Sequence, residues 1–318
     1  MLSIEAPRFS ANPSSIYLIM AASKWSLTEH LLSTSQDDYT KATQHPFLLA
    51  AAEGRLSKEV LGQWLANDRL YIHSYIRAAG KLLASIDLPA AVPKTEATET
   101  QLVDWLIEAL AGVRREERFF IEVAERYGLG VELNMQTVTN SHRASVADDA
   151  KLTGLVMMEK IFSDVGQPNQ LGTSGLIPGS LPGPDPMLWL EGAVTFWGTE
   201  CCYLDAWSWA KSKQVMGASG SETSSWVKLR QMVSATGTDA RKDADGGALR
   251  NEFIPNWSSP GFADFVHRLG RLIDSAVAQA LERAGEDAEA TKALILQRVE
   301  GKWKSLLAAE ASFWPDVE

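Results

Sequence analysis

Cysteine is almost missing from this 318-residue chain: the two present, Cys201 and Cys202, are adjacent in sequence. That spacing suits neither a disulfide framework nor a zinc site, and so few thiols point to a reducing, cytoplasmic compartment. Blocks of basic residues are missing too. Lys+Arg number 30 against 40 Asp+Glu, a formal net charge of −10, so the electrostatic footprint that phosphate backbones require is not there. Long hydrophobic runs are equally scarce. The most apolar, Ile16 to Ala22, is far shorter than the roughly 20 residues that span a bilayer. Arg8 is the only basic residue before it, and Lys24 and Trp25 stand where a secretory leader has its small-residue cleavage site. Neither nucleic acid nor membrane is an expected partner, and secretion is not expected.

Apolar residues make up 45%, charged residues 22%, and there are 11 tryptophans, a composition that can bury a sizeable core. Alternating strand patterns bounded by turns are absent, and helical periodicity predicts an all-α protein. The expected helices cover about 25–34, 46–53, 57–86, 98–128, 135–163, 187–211, 223–235, 260–284 and 287–314. Two Gly-, Pro- or Ser-rich stretches, Gln167 to Pro186 and Ser234 to Gly247, read as surface loops. The first separates two strongly apolar helices that each need a partner, which argues for one shared bundle. The expectation is a single helical domain over 1–318, with an N-terminal extension of about 1–24 and loop insertions at about 164–186 and 234–250.

Acids on apolar helix faces are the main anomaly. In the helix that follows the N-cap Ser57, the stripe Leu61, Trp64, Leu65, Tyr71, Ile72, Tyr75, Ala79 contains Asp68, four residues after Trp64 and three before Tyr71. A carboxylate there costs several kcal/mol unless it is satisfied. It either bonds core donors or belongs to a ligand site. Glu310 interrupts the stripe Ile295, Val299, Trp303, Leu306, Leu307, Phe313, Trp314 in the same way, and Glu200 lies in line with Trp197 and Leu204. Three inward acids on separate helices point to a polar pocket. If they converge, like charge raises at least one pKa and gives a group suited to acid/base chemistry near neutral pH.

These residues fall in a recognisable order: His45 to Phe47 (HPF), Asn67 to Tyr71 (NDRLY), Asn140 to His142 (NSH), and Glu310 to Trp314 (EASFW). From about Trp25 to Trp314 the chain resembles the TenA/THI-4 family, the thiaminase II-like proteins. The resemblance implies a haem oxygenase-like multi-helical bundle and hydrolysis of an aminopyrimidine or a related heteroaromatic small molecule, of thiamin-salvage type. It implies neither metal nor other cofactor, and a homo-oligomer. It further implies that Asp68 hydrogen-bonds the substrate, that Tyr71 lines the same pocket, that Glu310 is the catalytic acid/base, and that Phe313 packs near the ring.

Departures from the family pattern matter as much. Aligning on Trp197 places Thr195 where the cysteine-bearing branch has its nucleophile, and Cys201, six residues on, lies far round the helix and about 9 Å along it. Thr139 stands where a pocket tyrosine is expected, and Trp257 to Phe262 lacks another. The chain is thus closer to the branch without the cysteine, which relies on carboxylates, and by position Glu200, or else Tyr203, would partner Glu310 in activating water. Other chemistries find little support. Asp264 and His267 have a workable metal-ligand spacing, but no Glu-x-x-His occurs. His30 and His73 read as surface or satisfied core histidines, and His142 could at most support a pocket residue. No G-x-S-x-G elbow, P-loop or G-x-G-x-x-G pattern is present. A catalytically lapsed relative, binding a small ligand or acting as a scaffold, is the alternative, as is recruitment of the fold to another small-molecule reaction.

Overall fold

Ser26 and Ser57 set the first architectural marks, each accepting a hydrogen bond from a backbone N–H three residues on, Glu29 at 3.1 Å and Val60 at 3.3 Å. A computed structural model describes residues 25–92, 97–132, 135–136, 145–146, 150–166, 187–217 and 240–317. Within these, helices α1 (Leu27–Thr34), α2 (Gln36–Thr43), α3 (Pro46–Ala52), α4 (Lys58–Ala84) and α5 (Thr98–Tyr127) come first. A two-residue antiparallel pair follows, β1 (Met135–Gln136) with β2 (Ser145–Val146). Then come α6 (Thr153–Ser163), α7 (Leu190–Gly217), α8 (Ile254–Trp257), α9 (Pro260–Ala284) and α10 (Ala288–Ala311).

The α7 helix packs against α2, α3, α8, α9 and α10, which explains why its sequence is apolar nearly all round. On the other side, α4 packs on α5 and α6, and α6 in turn on α10. Buried apolar side chains from α1 through Trp314 make one contiguous core cluster. At α6 the approach is close: the Gly154 N–H donates to Ser312 O at 3.0 Å, and a Cβ at Gly154 would lie 2.4 Å from the Phe313 nitrogen. The glycine lets α6 run against the C-terminal end of α10, which carries Glu310.

The all-α expectation holds, and most helix spans agree within a few residues. Three details differ. The first expected helix is followed, after a break at Ser35, by a second one, α2, whose sequence QDDYTKAT shows too thin an apolar stripe to reveal it. The helix expected over 135–163 begins only at Thr153, because backbone groups of Met135, Gln136, Ser145 and Val146 pair as strands. The β-branched Thr137, Val138 and Thr139 between them favour that outcome. Within the second loop insertion the described residues begin at Ala240: a 3₁₀ turn (Ala240–Lys242) and a π-helical turn (Leu249–Phe253) lead into α8. Buried Asp245 stabilises this segment by accepting from the N–H groups of Gly247 (2.7 Å) and Leu249 (2.8 Å). The N-terminal extension, the first loop insertion from 167 to 186 and the helix expected at 223–235 lie outside the described residues.

Candidate functional site

Four helices each aim one carboxyl at the same region. Asp68, only 4% exposed, lies on α4 and accepts the Tyr203 hydroxyl at 3.1 Å. Glu200 on α7 accepts the Tyr75 hydroxyl at 2.7 Å. Glu310 on α10 is 6% exposed, and its carboxyl has no hydrogen bond among the described residues. The fourth, Glu116 on α5, accepts the indole N–H of Trp257 from α8.

Each acid is held above the usual carboxylate range, first by burial and then, for three of them, by its neighbours. Asp68 is raised well above its ordinary value by burial, then by Glu116 and, less, by Glu200, with the Tyr203 bond acting in the opposite sense. Burial raises Glu310 in the same way, with Asp68 and Glu200 adding to it. Glu200 is pushed up to about 8 by burial, with Tyr75 opposing and Glu116 adding. Glu116 is pushed up to about 7 by burial, against the Trp257 bond. Among the described residues no lysine or arginine contributes to any of the four. Acids this close shift one another's titration, each ionised carboxyl making the next harder to ionise.

Aromatic rings complete the surroundings. Tyr71 meets Phe313 edge-on at 5.9 Å and Phe162 at 5.3 Å. Tyr203 meets Trp257 at 5.2 Å and Phe262 at 6.4 Å. Tyr71, Glu116, Glu200 and Tyr203 are only partly covered, yet burial is the largest cause raising each of them. Residual surface on groups set among the core helices is what bordering an internal space would give. A chamber lined by carboxyls and rings can bind a flat, donor-rich molecule and move protons on it.

The structure therefore brings together Asp68, Tyr71, Glu200, Tyr203, Glu310 and Phe313 from the sequence-based set. Tyr203 serves Asp68 rather than Glu310 directly. Thr195 is not drawn in: its hydroxyl donates to Glu191 O one turn back, at 2.8 Å. Thr199, one turn on, likewise bonds within its own helix, donating to Phe196 O at 2.9 Å. Thr139, Asn140 and His142 lie outside the described residues. Sequence reasoning missed Glu116 as a site acid, although the signal was available: it lies three residues after Val113 and four before Phe120 in the apolar stripe of α5. Tyr75 and Trp257 were also not singled out.

The remaining candidates find ordinary partners. His30 contacts Glu300 at 3.2 Å and His73 contacts Glu117 at 2.7 Å. Asp264 is exposed and pairs with Arg268 at 3.4 Å. Among the described residues no group of three or more His, Cys, Asp and Glu is placed to hold a metal ion, and no helix is long and apolar enough to cross a membrane. Cys201 sits 3.3 Å from the Tyr39 hydroxyl, its thiol pushed up to about 12 by burial and Asp205. Burial and Glu310 raise Cys202 as well, so neither supplies a thiolate near neutral pH.

Comparison with known proteins agrees with this architecture. Residues 33–146 match the TENA/THI-4/PQQC family. A TenA homologue from Pyrococcus furiosus superposes with a TM-score of 0.52 at 19% identity, covering 90% of this chain and 97% of that one. A structure described as a TenA family transcription regulator, from Silicibacter sp. TM1040, gives 0.53 at 11% identity, covering 93% and 97%. Both likenesses show the fold: all-α, multi-helical and consistent with the haem oxygenase-like arrangement. A protein of Fusarium pseudograminearum (strain CS3096) named probable transcription factor is 27% identical over 256 residues, 78% of this chain and 45% of its own length. The chain thus spans less than half of that relative.

Proposed function

We propose, from the TENA/THI-4/PQQC match over residues 33–146 and the fold shared with TenA homologues, that the chain is a TenA-like hydrolase. Its substrate is an aminopyrimidine or a related amino-substituted heterocycle, cleaved at a C–N bond by carboxylate acid/base catalysis. One observation carries this reading: Asp68, Glu200 and Glu310, from three helices, all act on Tyr71, which meets Phe313, and among the described residues no lysine or arginine acts on the three acids.

In this reading Asp68 anchors the amino-substituted ring, with Tyr203 fixing its carboxyl, while Tyr71 and Phe313 flank the ring. Water forms a C–O bond at the carbon that loses nitrogen. Glu200, oriented by Tyr75, takes the proton from water, and Glu310 gives one to the departing amine as the C–N bond breaks. A proton passed from Glu200 to Glu310 restores the starting state. The coupling of the acids supports the division of roles, since each ionised carboxyl keeps its neighbour protonated. No cysteine takes part.

A second reading, a protein that binds the same kind of ligand without turnover, is favoured by the two inert thiols and by Thr195 at the position where the cysteine-bearing branch has its nucleophile. Two relatives are called a transcription factor or regulator, but a net charge of −10 with no basic block argues against direct contact with nucleic acid. Incubation with thiamin and with an aminomethylpyrimidine, following product release and melting temperature, decides between them. Turnover supports the hydrolase. A ligand-induced rise in melting temperature without turnover supports the second reading, and neither response overturns both for these substrates.

A further inference from the structure

Glu116 is the one site acid on α5, outside the set that the family resemblance identifies. It is tied into the site from three directions. Its charge acts on Asp68 and Tyr75 of α4 and on Glu200 and Tyr203 of α7, and Trp257 donates to it from α8. Only its Oε1 has a donor among the described residues. Trp257 also packs on Tyr203, whose hydroxyl holds Asp68, so a short path of contacts joins the Glu116 and Asp68 carboxyls.

Two further facts constrain what could occupy this end of the chamber. The four carboxyls have no lysine or arginine acting on them among the described residues. Glu310, more than nine-tenths buried and turned towards Asp68 and Glu200, has no hydrogen-bond partner there either. A buried carboxyl left without donors is costly, and a set of them more so. A ligand with positive charge and several N–H groups would offset that cost. An amidinium-like edge, an amino group beside a protonated ring nitrogen, offers two parallel donors to one carboxylate and charge to a second.

We propose that Glu116 is a specificity-determining residue which, with Asp68, makes this end of the chamber select ligands in a positively charged, amidinium-like form over neutral ones of the same shape. The inference rests on the ligand class assigned above but not on catalysis. It concerns binding, so it can fail or stand independently of turnover.

Benzamidinium and benzamide provide the test, being flat and nearly isosteric, one charged and one neutral. Calorimetric titration of the full chain is expected to give about tenfold tighter binding of benzamidinium, the scale of a hydrogen bond to a charged group. Glu116→Gln keeps an oxygen that can accept from Trp257 and removes the charge. It is expected to erase most of that preference while leaving benzamide affinity within about twofold. Glu116→Asp, which keeps the charge and withdraws it by one methylene, is expected to retain a reduced preference and supplies the decision should the glutamine variant not fold. Equal binding of the two probes by the unaltered protein overturns the inference. So does an equal loss of both probes in Glu116→Gln, or no loss of preference in any folded Glu116 variant. Preference without hydrolysis of any aminopyrimidine would overturn the assigned reaction and leave the charge selection standing.

Discussion

Tyr203 donates its hydroxyl to Asp68 across 3.1 Å, and this bond joins α7 to α4 at the acid cluster. It is the only hydrogen bond that the Asp68 carboxyl receives among the described residues, and the one influence on that carboxyl that favours its ionised form. Tyr203 bonds Oδ2, and Oδ1 has no donor among the described residues.

Removing that donor should leave a buried carboxyl unsatisfied. Tyr203→Phe is expected to cost about 1–3 kcal/mol, the penalty for stranding such a group. Urea unfolding of the two proteins measures it directly. A variant as stable as the parent would mean that Asp68 does not depend on Tyr203.

Glu310→Gln separates binding from chemistry. The substitution keeps the shape of a side chain that has no hydrogen bond to lose among the described residues, so the fold should tolerate it, and titration reads affinity apart from kcat. Proton transfer goes with the carboxyl, and kcat for an aminopyrimidine substrate should fall about 10²–10⁴-fold. Unchanged kcat would remove Glu310 from the proposed mechanism.

Asp68, Glu200 and Glu310 were legible in the sequence because each interrupts a stripe of large apolar side chains at helical spacing, an expensive arrangement unless polar groups meet there. Glu116 obeys the same rule, but it sits in the run Arg114, Arg115, Glu116, Glu117, Arg118, where charge on every side hides the stripe. Glu117 is the buried acid that does find cations, pairing with Arg69 at 3.3 Å and with Arg114. Periodicity alone cannot say which of two adjacent glutamates meets the other acids. The helix expected from residue 135 failed because hydrophobic spacing carries no information about backbone pairing between distant residues.

Gly154 makes a prediction about how the site is supported. A methyl group there would lie 2.4 Å from the Phe313 nitrogen and 2.5 Å from Ala309 O, both backbone atoms that cannot swing aside. Gly154→Ala should push α6 away from α10, costing about 1–3 kcal/mol by overpacking. Because Phe313 faces Tyr71, ligand affinity should fall with stability. Titration below the melting transition separates the two effects, and an alanine variant with parental stability and affinity would show that the close approach is not needed.

The coupled acids also fix how stability should depend on pH. Glu200 is raised from 4.5 to about 8 and Glu116 from 4.5 to about 7. Between the lower and upper values the unfolded chain has released these protons and the folded chain still holds them. The folded state therefore binds more protons, and stability falls as pH rises through this window. The contribution is fully present below the unfolded value and is lost by the time pH passes the folded one, the reverse of a salt-bridged carboxylate. Each carboxyl adds at most about 1.4 kcal/mol per pH unit to the slope. Urea midpoints taken from pH 5 to 9 should thus decline as Glu200 and Glu116 ionise. Glu200→Gln, which keeps an acceptor for Tyr75 and cannot ionise, should flatten the upper part of that decline. A slope that survives the substitution unchanged would place the titrating groups elsewhere.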